Sequence, residues 1–137
     1  MRHLLACLFL IAPFTAAAQE RDSVFSSYSA YADFVDKKIM SREFVPLVLS
    51  LGGRDEYTPE QLNGVNTQLM AAFPVAFRNK TVFHETDLGG GMRQEARAYW
   101  SGEHYAYFYA LLHERGNDIV VLNFLLNSSL SAVTEKF

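Results

Sequence analysis

Beyond residue 27 the hydrophobic positions fall into two regimes. From Tyr31, apolar residues recur at Phe34, Val35 and Ile39, the three-and-four spacing of a helix with one buried stripe, and leave Asp33, Asp36, Lys37 and Lys38 on its wet side. The stripe breaks near Met40-Ser41 and restarts at Val45, Val48, Leu49 and Leu51, with Pro46 near its start or at a kink and Gly52-Gly53 as the stop. A third helix opens at Thr58-Pro59-Glu60-Gln61. Thr58 caps the first turn, Pro59 has the φ that the first helical position needs, and Gln61 closes a capping box. Its stripe is Leu62, Val65, Leu69 and Phe73, and Pro74 ends it because it disfavours the α conformation of the residue before it.

After Phe77 the period drops to two, the alternation of a strand. Strands are predicted at about 80–87, 93–100, 103–113 and 118–127, joined by Leu88-Gly89-Gly90-Gly91, Ser101-Gly102 and Gly116-Asn117. Connections this short make neighbours antiparallel. The predicted class is α+β: two to three N-terminal helices packed on one face of a four-stranded antiparallel β-meander.

Two-residue turns at Ser101-Gly102 and Gly116-Asn117, the latter of type II′, set Arg115 opposite Asp118, Ala98 opposite Tyr105, Ala96 opposite Tyr107 and Tyr109 opposite Phe124. In that register the helices meet Ala96, Ala98, Trp100, Tyr105, Tyr107, Tyr109, Leu111, Val120, Leu122, Phe124 and Leu126. The opposite face then carries Arg93, Glu95, Arg97, Tyr99 and His104 as a solvated side, and Phe108, Leu112, Ile119, Val121 and Leu125 as a side too apolar for water. A partner subunit, the tail Leu130 to Phe137 or a ligand must cover these five, which makes them the interface candidates of a homodimer.

The amino terminus changes the composition. Met1-Arg2-His3 is a basic head, Leu4 to Phe14 an apolar run, and Ala16-Ala17-Ala18 the small residues a signal peptidase accepts. Pro13 interrupts the run, which is too short to span a bilayer. Cleavage is expected between Ala18 and Gln19, giving a signal peptide over 1–18, a flexible mature start over 19–27 and one α+β domain over 28–137. Cys7 lies inside the apolar run, whereas a lipidated cysteine follows it. Removing residues 1–18 deletes Arg2 and the only Cys, leaving 11 basic and 15 acidic residues and a net charge of −4. Thiol chemistry and disulfides are then excluded for the mature chain, and the acidity argues against nucleic acid as a partner. No membrane insertion of the mature chain is expected, and the setting is secreted, by preference a bacterial periplasm.

Phe34-Val35-Asp36 on the first helix, Arg42-Glu43-Phe44 at the second, Thr58 to Leu62 at the third and the hairpin at Gly116-Asn117-Asp118 together resemble small exported members of the nuclear-transport-factor-like superfamily. The resemblance covers Tyr31 to Asn127 and implies a cone-shaped α+β roll. Such rolls include small-molecule isomerases and hydrolases, which place Asp, His or Tyr inside the cone, and many non-catalytic dimerising or ligand-binding modules. In this chain no Asp-His pair maps to that interior, and no strand falls between the helices.

Catalytic signatures are sparse. There is no G-x-S-x-G elbow and no phosphate-binding glycine motif, and Gly89-Gly90-Gly91 reads as a loop between strands. His84 and Glu85 are adjacent on a strand, and His104 and His113 differ in parity, so no metal site and no cofactor is predicted. Glu95 between Arg93 and Arg97 reads as a solvated charged face. The most distinctive candidate is an aromatic row, Trp100, Tyr105, Tyr107 and Tyr109, whose apolar bodies and polar tips suit a small amphipathic ligand. The sequence therefore favours an exported non-catalytic module that binds a small ligand or another protein, with an isomerase or hydrolase using Tyr105, Tyr107 and Trp100 as the alternative.

Overall fold

The computed structural model describes residues 23–52 and 57–137. The expected signal segment and the Ala18–Gln19 junction lie outside the described residues. The elements run β1 (Val24–Phe25), α1 (Tyr28–Met40), α2 (Phe44–Gly52), α3 (Pro59–Ala72), β2 (Asn79–Gly89), β3 (Met92–Ser101), β4 (His104–Arg115), β5 (Asp118–Asn127) and α4 (Leu130–Thr134). The fold is α+β with an antiparallel sheet, but the sheet has five strands rather than four, in the order β1-β5-β4-β3-β2. Three helices precede the meander and a fourth follows it.

The local signals act as their chemistry requires. Ser27 caps α1 by accepting from the Ala30 amide at 3.0 Å, and Arg42, at φ 61°, breaks the chain between α1 and α2. At α3 the capping box is complete: the Gln61 amide donates to the Thr58 hydroxyl at 3.2 Å, and the Thr58 amide donates to the Gln61 side chain at 2.9 Å. Residues placed by sequence in a flexible mature start instead form β1, whose Val24 pairs with Val120 and Phe25 with Ile119. The Ser23 amide donates to the Ser50 carbonyl at 2.7 Å and its hydroxyl to the Leu51 carbonyl at 2.5 Å. Two carbonyls at the end of α2, which have no helical partner, are thereby satisfied.

The hairpin turns differ in detail from expectation. Gly116-Asn117 forms the predicted connection, with Arg115 opposite Asp118 and φ +60° at Gly116, as a type II′ turn requires of its first residue. The β3–β4 turn is Gly102-Glu103, because Ser101 pairs with His104. Gly102 is the residue that tolerates the positive φ of 58°. Pairing slides by two residues, so Trp100 faces Tyr105, Ala98 faces Tyr107 and Ala96 faces Tyr109, and each residue keeps its face. In β5 the register shifts between Leu111 and Leu112, leaving Leu122 as the extra residue of a bulge and placing Tyr109 opposite Leu125 rather than Phe124.

The larger correction is which face the helices cover. The main core joins Tyr31, Val35 and Ile39 of α1, Phe44, Leu47 and Leu51 of α2, Phe73 and Phe77 to Tyr99, Ala106, Phe108, Ala110, Leu112, Ile119 and Val121 of the sheet. The face expected to be uncovered is thus the one beneath the helices, and Ala96, Ala98, Trp100, Tyr105, Tyr107, Tyr109, Leu111 and Val120 lie on the outer side. Phe124 and Leu126 do pack against the main core, because the bulge at Leu122 switches the parity of β5. The tail covers part of the outer face: α4 buries Val133 against Ala96 and Tyr109, with Tyr107, Leu111 and Leu125 around them.

Candidate functional site

Two arrangements on the helix side are candidates for function. The first is a buried ionic network. Because β3 side chains alternate, Glu95, Arg97 and Tyr99 all face α1, and Glu95 is 0 % exposed. Tyr28 donates to Glu95 Oε2 at 2.7 Å, while Tyr31 and Arg97 Nε donate to Oε1 at 2.8 and 2.9 Å. Arg97 also donates to Asp36 Oδ1 at 3.2 Å and to the Tyr28 hydroxyl at 2.7 Å. Tyr99 donates to Asp36 Oδ1 at 2.7 Å and Lys80 to Oδ2 at 2.6 Å. Arg93 lays its guanidinium 4.1 Å from the centre of the Tyr28 ring, with one nitrogen 3.7 Å from Glu95.

Two charges expected to be solvated, Glu95 and Arg97, are therefore buried, and Asp36, expected on the wet side of α1, is 6 % exposed. Burial is tolerated because each charge meets an opposite one and accepts or donates several hydrogen bonds. The phenols respond to this surrounding. Burial first, and then the bond to Glu95, push Tyr28 up to about 12, and burial with the Glu95 charge raises Tyr31 well above its ordinary value. Tyr99 is raised in the same sense by burial and by the Asp36 charge. For Arg97, burial alone would disfavour the cation, but the bond to Glu95 and its charge outweigh burial and hold the guanidinium protonated. Both carboxylates are thus committed to internal donors. The network pins α1 to β2 and β3.

The second arrangement is a cleft of about 530 Å³ between α2, α3 and β5. Leu47, Val48 and Leu51 form one wall, Val65 and Leu69 another, and the bulged run Val121 to Leu126 the third. Ser23, Tyr57 and Gln68 add polar groups to the lining. Among its described lining residues there is no Asp, Glu, His, Lys or Arg. The bulge shapes this wall, since it supplies Leu122 and Asn123 where an unbroken strand would place one residue.

The aromatic row predicted from sequence lies elsewhere. Trp100 stacks on Tyr105, and Tyr105 on Tyr107, each with ring centres 6.0 Å apart and planes within 15° and 11°. These three share the outer sheet face, away from the cleft, whereas Tyr109 is buried under α4 at 4 % exposure. The interface candidates separate as well. Phe108, Leu112, Ile119 and Val121 are 0–5 % exposed beneath the helices, and Leu125 lies on the outer side against α4. They form no common surface that a partner subunit can reach.

No group of three or more His, Cys, Asp or Glu with metal-binding geometry occurs among the described residues. None of the described helices is long and apolar enough to cross a membrane. The cleft had no signal in the sequence beyond the stripe of α3, because a bulge is not visible in hydrophobic alternation. Comparison with protein-family models, with curated proteins and with solved structures finds no match.

Proposed function

We propose that this chain is an exported, non-catalytic module that binds a small amphipathic molecule in the cleft between α2, α3 and β5. The observation that carries the proposal is the chemistry of the lining: leucine, valine and phenylalanine side chains from α2, α3 and β5 set beside hydrogen-bonding groups of Ser23, Tyr57 and Gln68. A recess of this size that combines apolar side chains with polar surface suits a compact ligand with an apolar body and a polar end. Export to a periplasm belongs to the same proposal and is supported by the basic, apolar and small-residue segments of the first 18 residues. Kinship with the nuclear-transport-factor-like roll belongs there too, supported by three helices that precede an antiparallel meander. The isomerase or hydrolase alternative has less behind it: the aromatic row it needs is on the other face of the sheet, and Asp36 and Glu95 are engaged internally.

Titration with the neutral solvatochromic dye Nile red tests this reading. The protein is expected to bind the dye saturably, and Val65→Trp, which fills the cleft from α3, is expected to weaken binding by about tenfold or more, about 1.4 kcal/mol. Tyr107→Ala, on the outer row, is expected to leave binding unchanged. Binding that survives Val65→Trp and disappears in Tyr107→Ala would move the ligand site to the outer aromatic row and overturn the assignment to the cleft.

A further inference from the structure

The two edges of the sheet are unequal. One is closed by β1, only two residues long, while the other is β2, eleven residues long and, among the described residues, paired on one side only, with β3. Such a strand presents a row of unpaired backbone groups to any strand that can add to it. Exposed apolar side chains gather there: Val82, Phe83 and Leu88 are 38 %, 40 % and 52 % exposed, with Phe137 at 46 % beside them.

The pattern of faces along β2 restricts which strand fits. Lys80 reaches Asp36 on the helix side, and Phe83 meets Tyr107 on the outer side. His84, the next residue, also lies on the outer side, stacked 3.6 Å from the Phe137 ring, because the register shifts between Val82 and His84. Positions 80 and 82 therefore belong to the helix face, 81, 83, 84 and 86 to the outer face, and 85 and 87 to the helix face again. We propose that β2 is a homodimer interface, in which it pairs antiparallel with β2 of a second copy about a twofold axis, Phe83 facing His84 of the partner subunit.

In this register each pair of facing residues between positions 80 and 87 lies on one face of the joined sheet. Lys80 comes opposite Asp87 of the partner subunit, Thr81 opposite the partner's Thr86, and Val82 opposite the partner's Glu85. Registers one residue away put outer residues against helix-side residues along most of the strand, which a continuous sheet does not allow. The bulge makes the strand self-complementary, and Lys80 and Asp87, which face each other, are opposite in sign. Bulges on an edge ordinarily discourage pairing, but here the bulge of the second copy matches that of the first. Phe83 and Phe137, exposed in one chain, then lie beside a second set of aromatic rings.

Cysteine cross-linking reads the register directly. With strands about 4.8 Å apart and about 3.4 Å per residue, the two copies of position 83 lie roughly 6 Å apart, within reach of a disulfide, and the two copies of position 81 roughly 18 Å apart. In a chain carrying Cys7→Ser, mild oxidation of Phe83→Cys is expected to yield covalent dimer and that of Thr81→Cys to yield almost none. Sedimentation of the unaltered protein is expected to show a dimer that Phe83→Asp dissociates while leaving the circular dichroism spectrum intact. Equal cross-linking at the two positions, or an unaltered protein that stays monomeric at the highest concentration reached, would overturn the proposal.

Discussion

Glu95 has no contact with water, and its two oxygens accept from Tyr28, Tyr31 and Arg97. Removing it leaves the buried Arg97 with one carboxylate, Asp36, and leaves the Tyr31 hydroxyl, buried beneath α1, without its acceptor. Breaking a buried charge pair from one side costs about 3–5 kcal/mol, so Glu95→Ala is expected to lower stability by that amount. Tyr31→Phe deletes a single bond to a charged acceptor and is expected to cost about 1.5–3 kcal/mol. Urea unfolding midpoints of the two variants check this, and a Glu95→Ala loss no greater than that of Tyr31→Phe would show that the network does not act as a unit. Sequence alternation placed Glu95 and Arg97 correctly on one face of β3. What it lacked was a partner: two opposite charges two residues apart look solvated until Asp36, Tyr28 and Tyr31 are brought across from α1.

Among the elements, the β2–β3 hairpin shows how narrow the choice of residue becomes where strands turn. Gly91 sits at φ +81°, and a Cβ built there would stand 2.5 Å from the carbonyl oxygen of Glu114 on β4, whose amide donates to the Gly91 carbonyl at 2.8 Å. Gly91→Ala thus faces both an unfavourable backbone conformation and a backbone clash, and is expected to cost about 1–3 kcal/mol. Gly90→Ala, at φ +63° with open space around the added methyl, is expected to cost less. Thermal unfolding of the pair checks the order. The element boundaries were largely legible from sequence, since the Thr58 capping box and the Gly116-Asn117 turn each act through neighbours in the chain. The covered face was not legible, because alternation defines two sets of side chains without saying which one meets the helices. Neither were the bulges at Phe83 and Leu122, which add a residue without interrupting the apolar run.

For the molecule as a whole, the raised phenols set how it meets alkali. In the unfolded chain tyrosines lose their protons near pH 10, whereas Tyr28 holds its proton to about pH 12, and Tyr31 and Tyr99 are also raised. Between these values the folded chain binds more protons than the unfolded one, so stability is fully present below about pH 10 and falls as pH rises from there. Tyr28 is partly solvated, and water screens its share, so the buried Tyr31 and Tyr99 dominate. Urea midpoints at about pH 8 and about pH 11 are expected to show this fall, and Tyr31→Phe to flatten it; an unchanged midpoint in the unaltered protein would contradict the burial of these hydroxyls. β1 has a different bearing on the whole chain. Val24 takes its partner from Val120, about a hundred residues further on. A polypeptide threaded through a membrane pore amino end first would have to deliver its final hairpin before its opening strand could be enclosed, so closure of the sheet would wait until nearly all of the chain had emerged.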